Sequence, residues 1–296
     1  MLASFTTWGV GGAVDALVQP GTEEEAALAI RLGENAGVPC RVLGSGSNLL
    51  VSDEGVNGVL IRPGGPLGRL EVEGDEIRVG SAMGLPSLAM ECARRGLAGV
   101  EFAVGIPGSV GGAVATNAGA HGAQFSDVLV ETRVLRGSGV AETRRGEDLQ
   151  FRYRHSRILE SPELVVSATL RLPKENREVT ETRTRECLKA RRDQPKGRSC
   201  GSVFRNPPGD YAGRLLENAG AKGMMLGGAQ VPQAHANYIL AEGETSAADI
   251  LHLMRTLQGR VQDETGILLE PEVIFAGFEA DDPRLPKGAR LLGEIA

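Results

Sequence analysis

Gly44-Ser-Gly-Ser-Asn-Leu-Leu50 and Gly105-Ile-Pro-Gly-Ser-Val-Gly-Gly-Ala113, the second running on to Thr116-Asn-Ala-Gly119, are the two stretches on which the fold turns. The first follows a short apolar run, Cys40-Arg-Val-Leu43, that reads as a strand. Glycine lets the backbone come close to a ligand, and successive N–H groups can converge on an anion as a nest. Ser45, Ser47 and Asn48 add side-chain donors to the first loop, and Ser109 and Thr116 add them to the second. Each loop taken singly reads more readily as a tight turn than as a ligand site. Two such donor-rich loops in one chain suit a dinucleotide with a pyrophosphate. Neither is a G-x-G-x-x-G opening a long helix with an acidic residue about 20 positions on, so a Rossmann site is not indicated.

Outward from these loops the chain alternates short strands and helices. Thr22-Glu-Glu-Glu25 predicts a capping box and a helix ending near Gly37, and Leu49–Val51 and Gly58–Ile61 predict strands. Leu70–Val72 and Glu76–Val79 flank Glu-Gly-Asp and predict a hairpin. Pro86–Arg95 and Glu178–Arg192 predict helices, and Val128–Leu135 and Leu164–Leu172 predict strands. Residues 193–228 are polar and proline-punctuated, which predicts a loop-rich region. Ser246 opens a helix with Ile250, Leu251, Met254, Leu257 and Val261 on one stripe, closed by Gly266. A last strand is predicted over Ile267–Phe275, and a loose tail over 279–290.

Composition bounds the function. The chain has 296 residues with 41% hydrophobic and 24% charged, which suits a soluble protein of two or three domains. Its 41 glycines are about twice the usual share of roughly 7%. The net charge is -6 and no sustained basic run carries interleaved aromatics, so nucleic acid is not an expected partner. Cys40, Cys92, Cys187 and Cys200 form no C-x-x-C pair, and His121, His155, His235 and His252 are scattered, so no metal is expected. The first residues lack the charged and apolar regions of a signal peptide, and no apolar run is long enough to span a membrane, so the expected location is cytoplasmic.

The two glycine blocks together resemble the FAD-binding signature of the UDP-N-acetylenolpyruvoylglucosamine reductases, a family of the vanillyl-alcohol oxidase type of flavoprotein fold. The resemblance runs from Thr6-Thr-Trp-Gly to Glu270-Pro-Glu-Val273. It implies noncovalent FAD, contacted by Gly44, Ser45, Gly46, Ser47, Asn48, Leu49, Pro107, Gly108, Ser109, Gly112, Thr116 and Gly119. Ser45 stands where the family usually carries the middle of three glycines.

Three further motifs carry the resemblance into the chemistry. Tyr153-Arg-His-Ser156 is similar to the family's Y-R-x-S. On its own Arg154 is one basic residue among several; the resemblance makes it the group that polarises the substrate carboxylate, with Tyr153 in the substrate site. Gly201-Ser-Val-Phe-Arg-Asn-Pro207 is similar to the family's G-S-[VF]-F-[KR]-N-P. An isolated serine there would be a turn residue; the resemblance makes Ser202 the proton donor and Asn206 a substrate contact. Glu272, in Glu270-Pro-Glu-Val273, falls on the family's catalytic glutamate. Arg192, with Arg191 beside it, is implied to hold the substrate diphosphate, and His235 and Asn237 to line the nucleotide-sugar pocket, although a lone histidine is more often structural. No tyrosine lies between the Y-R and serine motifs, since tyrosines occur only at 153, 211 and 238, so the chain is similar to the family's second type, without a substrate-closing tyrosine loop.

The fold class expected is α+β: residues 1–63, completed by 266–296, and residues 64–192 as two FAD-binding subdomains, and 193–265 as a substrate-binding domain. The activity implied is NADPH-dependent, FAD-mediated reduction of UDP-N-acetylglucosamine enolpyruvate to UDP-N-acetylmuramate, a peptidoglycan precursor, by a protein expected to act as a monomer. The alternatives are another FAD oxidoreductase of the same fold with a different small substrate, and a non-catalytic nucleotide-binding protein. A hydrolase is not indicated, because no Ser/His/Asp spacing argues for one.

Overall fold

The computed structural model describes residues 1–295 and divides the chain into two compact units. One comprises residues 16–45, 58–192 and 293–295; the other comprises residues 1–15, 46–57 and 193–292. The first glycine loop is thus divided after Ser45, and the chain changes unit again after Arg192.

The first unit is built on a five-stranded antiparallel sheet, in the order Ala141–Arg145, Leu129–Leu135, Leu164–Arg171, Glu76–Gly80, Leu70–Glu73. Its last two strands form the expected hairpin, with Gly74 turning at φ 70. Helices Leu85–Arg94 and Val110–Thr116 bury their apolar faces with Ile77, Val79, Val134, Val165 and Leu170 of the sheet in one core. A second, smaller core forms under helix Glu23–Asn35, through Ala26, Ala27 and Ile30 with Cys40, Ile61 and Leu164. Cys40–Val42 runs parallel to Val59–Ile61.

The capping box predicted at this helix is only half formed. Thr22 accepts the Glu25 N–H, but the Glu25 carboxylate turns to the Gly21 N–H at 2.7 Å, one residue before the cap. Helix Arg177–Ala190 ends two residues before Arg192: Arg191 is its C-cap, and Pro195 soon follows. Val110–Thr116 is a helix that the glycine content of its block concealed.

The second unit carries a parallel sheet of three short strands, Arg290–Leu291, Ile274–Ala276 and Leu49–Val51, and an antiparallel one of Met225–Leu226, Ala229–Gln230 and Leu240–Ala241. Helix Ala247–Thr265 supplies its core: the predicted stripe, Ile250, Leu251, Met254, Leu257 and Val261, is buried with Trp8, Leu50, Val203 and Phe275. The start of this helix is held by a capping box of Ser246 and Asp249, and Asp53 accepts the next two N–H groups, of Ala247 and Ala248, at 2.8 and 3.0 Å. Gly266 closes it in the left-handed conformation.

Two expectations are corrected here. The strand predicted over Ile267–Phe275 is Ile274–Ala276 alone, because Pro271 has no N–H to offer a ladder. Residues 279–290 are not a loose tail: the Gln258 amide donates to the Lys287 carbonyl at 2.8 Å and accepts its N–H at 2.9 Å, and Arg290–Leu291 joins the parallel sheet.

Candidate active site

In the first unit the two glycine blocks meet. A Cβ built on Gly44 would lie 3.1 Å from the Ser109 hydroxyl oxygen, so the two loops pass close to one another there. Ser109 caps helix Val110–Thr116 and accepts the Gly112 N–H, and Thr116 donates to the Gly112 carbonyl at 2.8 Å. The block rests on residues 81–85: Val110 and Gly111 donate to the carbonyls of Met83 and Ser81, and Gly108 accepts the Leu85 N–H. The Ser81 hydroxyl beneath it is buried without a hydrogen-bond partner among the described residues. Ser45 is exposed at the end of its loop.

Tyr153 and Arg154 form the two-residue tip of a tight turn closed by reciprocal bonds between Arg152 and His155, each 3.1 Å. Arg154 is left-handed, at φ 53, a conformation uncommon for a residue with a Cβ. Its guanidinium donates to the Gly119 carbonyl at 2.8 Å and lies 5.3 Å from the centre of the exposed Tyr153 ring. Ser156, wholly buried, pins the far side of the turn by donating to the Ala115 carbonyl at 2.7 Å. Of the paired arginines, Arg191 donates to the Gly105 carbonyl, while Arg192 is exposed.

The second unit brings the serine and glutamate motifs side by side. The Glu272 N–H donates to the Val203 carbonyl at 2.9 Å and Arg205 to that of Glu270, so 270–272 runs antiparallel to 203–205. On the other side Ser202 bridges Tyr238. Ser202 is partly buried, whereas Val203 and Phe204, which follow it, point into the core. Cys200, two residues earlier, is fully enclosed, and burial, followed by the nearby Glu272 charge, holds its thiol well above the usual range.

Asparagines organise this backbone. The Asn237 amide accepts the Phe204 N–H at 3.0 Å and donates to the Phe204 carbonyl at 2.8 Å. Asn48 donates to the Glu272 carbonyl at 3.0 Å, and Asn206 accepts the Ala212 N–H at 3.0 Å. Leu49 is buried within its strand, and Ser47 beside it is partly buried. Gly46 has φ 63, and a Cβ there would collide with the Phe5 carbonyl, so no other residue fits. His235 Nδ1 accepts the Asn237 N–H at 3.2 Å, which leaves the proton of the neutral ring on Nε2. Burial, then the Lys222 charge, lowers its pKa and keeps it neutral.

Residues 193–276 match the profile of the UDP-N-acetylenolpyruvoylglucosamine reductase C-terminal domain, and residues 14–143 match an FAD binding domain. UDP-N-acetylenolpyruvoylglucosamine reductase 2 of Symbiobacterium thermophilum is 42% identical over 278 residues, covering 93% of this chain and 90% of that protein. The reductase of Halalkalibacterium halodurans is also 42% identical over 278 residues, covering 93% and 92%.

The chain belongs to the UDP-N-acetylenolpyruvoylglucosamine reductase family.

The crystal structure of the Thermus caldophilus family member superimposes with a TM-score of 0.82 at 39% identity, covering 93% of this chain and 97% of that one. The α+β class holds, with the FAD-binding domain followed by the family's C-terminal domain. The residues present fit a flavin dinucleotide. In the first unit Gly44 passes close to the Ser109 hydroxyl and the buried Ser81 hydroxyl has no hydrogen-bond partner among the described residues, a glycine-rich and polar setting. Sequence reasoning missed Asn117, Ser81 and the occupation of Arg191 by Gly105. Only Asn117 left a signal: asparagine just past a helix, before Ala-Gly, suits a left-handed C-cap.

Proposed function

We propose that this protein reduces UDP-N-acetylglucosamine enolpyruvate to UDP-N-acetylmuramate with NADPH as the electron source, and so supplies a peptidoglycan precursor. The observation that carries this reading is the antiparallel run of 270–272 along 203–205, which sets the family's serine and glutamate on neighbouring segments of one unit. The bound FAD supplies relay of a hydride from NADPH to the methylene carbon of the enolpyruvyl ether. Charge then builds on the substrate carboxylate. Arg154 and Glu272 stabilise it, and Ser202 gives a proton to the carbon that bears the carboxylate, completing the saturated lactyl ether. A fixed guanidinium suits a carboxylate whose charge grows during reaction, and the turn and its bond to Gly119 support that role for Arg154.

The exposed guanidinium of Arg192, against the engagement of Arg191 by Gly105, supports Arg192 as the diphosphate contact. Asn206, Tyr153 and the Nε2 proton of His235 face the substrate. Asn237 lines the nucleotide-sugar pocket and also clamps the Phe204 backbone. The loops carrying Gly44, Ser45, Gly46, Ser47, Asn48, Leu49, Pro107, Gly108, Ser109, Gly112, Thr116 and Gly119 hold FAD without a covalent link. By function the chain divides into FAD-binding subdomains over 1–63 with 266–296 and over 64–192, and a substrate-binding domain over 193–265; it is of the family's second type. We read it as a cytoplasmic monomer, working where NADPH and nucleotide sugars are held. No helix among the described residues is long and apolar enough to cross a membrane.

The test is an anaerobic titration of the purified yellow protein. NADPH should bleach the visible flavin band, and the enolpyruvyl substrate should restore it with one product per flavin. A colourless protein that FAD does not reconstitute, or a bleached one that the substrate leaves bleached, refutes the reading.

A further inference from the structure

Asn117 stands where helix Val110–Thr116 ends. It is completely buried and left-handed, at φ 46. Its Oδ1 accepts the Ser126 N–H at 3.0 Å, and its Nδ2 donates to the Gln124 side chain and to the Arg152 carbonyl, each at 3.1 Å. A backbone donor on one side and a backbone acceptor on the other allow one orientation of the amide. Two residues on, the Gly119 carbonyl accepts from the Arg154 guanidinium. The Arg152–His155 turn is therefore clasped twice by the segment 117–119. The Asn117 side chain holds the turn's backbone at its first residue, and the Gly119 carbonyl holds the arginine head. The same segment is the direct continuation of the second glycine loop.

We propose that Asn117 is a positioning residue for Arg154: its amide fixes where the turn's backbone starts, and thereby where the guanidinium points. This rests on the role proposed above for Arg154. No other side chain does the same work at this position. Aspartate keeps the acceptor but sets a carboxylate against the Arg152 carbonyl. Alanine offers no hydrogen bond and strains the left-handed backbone. Glycine adopts that backbone freely but leaves the turn unclasped.

The variant is Asn117→Gly in the full-length FAD-loaded protein, alone and combined with Arg154→Ala, with Asn117→Asp as the alternative should the glycine variant fail to fold. The two half-reactions are followed separately by stopped-flow absorbance, and FAD affinity by flavin fluorescence. A displacement of about 1 Å at a reacting group costs on the order of 100-fold. Asn117→Gly should slow the enolpyruvyl half-reaction by ~10–100-fold, with the NADPH half-reaction and FAD affinity within about threefold of the parent. In the Arg154→Ala background the same substitution should have little further effect, because its effect passes through the arginine. Equal loss in both half-reactions, weakened FAD, or effects that simply multiply in the double variant overturn the proposal. So does an unaltered enolpyruvyl half-reaction in Asn117→Gly while Arg154→Ala is slow; the role of Arg154 then survives. An unaltered half-reaction in Arg154→Ala refutes that role itself, and Asn117 falls with it.

Discussion

Replacing Asn237 by alanine should destabilise the second unit severely. The Asn237 side chain is 3% exposed and Phe204 is 1% exposed, so neither end of the amide pair has access to water. The substitution removes both partners of the Phe204 backbone, the acceptor at 3.0 Å and the donor at 2.8 Å. A buried donor or acceptor left unsatisfied costs about 1–3 kcal/mol, so the pair costs about 2–6 kcal/mol, with the low end reached if water enters the space left behind. Against a native stability of about 5–15 kcal/mol this is a large fraction.

The assay is urea unfolding of parent and variant at one fixed excess of FAD, since ligand binding otherwise shifts apparent stability. The probe is the fluorescence of Trp8, the chain's one tryptophan, which is wholly buried in the same core and donates to the Ile239 carbonyl at 2.8 Å. A companion, Asn237→Asp, tests the sign. Its carboxylate would face the Phe204 carbonyl, where only the protonated acid can donate. Burial raises the folded-state pKa of such an acid, so this variant should recover stability as pH falls. A loss below about 1 kcal/mol in Asn237→Ala would show that the clamp is dispensable.

The other outcomes are more local. Ser202→Ala should leave the NADPH half-reaction within a few-fold and slow the enolpyruvyl half-reaction by about 10²–10⁴-fold, as for a positioned general acid; equal loss in both halves would instead mean disturbed flavin binding. Arg192→Ala should weaken substrate affinity by the worth of a charge-assisted bond, about 1.5–3 kcal/mol, with flavin reduction unaltered, and the reverse ranking of Arg191→Ala and Arg192→Ala would exchange their roles. Gly46→Ala meets both a left-handed backbone, costing about 1–2 kcal/mol, and the Phe5 carbonyl, so the midpoint of urea unfolding should fall; an unshifted midpoint refutes the close approach. The Asp249 carboxyl is lowered below 3.8, chiefly by the Ser246 N–H, so its contribution is complete above 3.8 and is lost as pH falls through the lower folded value. The gap in unfolding free energy between the parent and Asp249→Asn should therefore close below pH 3.8 and stay constant above it.

Where local chemistry decides the structure, the sequence was legible. Helix Ala247–Thr265 has a serine cap, a stripe at helical spacing and a terminal glycine, and each signal agrees with the others. The hairpin around Gly74 and the core strands Leu129–Leu135 and Leu164–Arg171 were equally plain. Legibility failed where tertiary partners override propensity. Val110–Thr116 is helical despite two glycines because its N–H groups and apolar face are held by Ser81, Met83 and the sheet core. Residues 267–273 look like a strand by apolarity, but Pro271 and the single bridge to Phe204 allow only one short pairing. The candidate site divides in the same way. Its reacting residues stood out by motif, but what holds them did not, because a hydrogen bond between Asn237 and Phe204 spans 33 positions and leaves no mark at either.

The supports share one residue type, for a physical reason. Ser202 precedes a backbone clamped by Asn237, Glu272 has its carbonyl held by Asn48, and Arg154 sits in a turn held by Asn117. The three residues proposed to react lie outside the helices and named strands, so no extended ladder fixes their backbone. A loop that must stay rigid needs its peptide groups bonded from the side, by a group short enough to be ordered and offering both donor and acceptor. Serine would be too short to bridge both backbone groups of Phe204, and glutamine would bring one more rotatable bond to immobilise. Aspartate and lysine would add charge beside groups whose function depends on the local field. Asparagine satisfies the backbone at no net charge, so each of these supports adds no charge beside the residue proposed to react. Catalytic geometry built this way depends on buried amides more than on secondary structure, so conservative changes at 48, 117 and 237 should disturb function more than larger ones on the exposed helix faces.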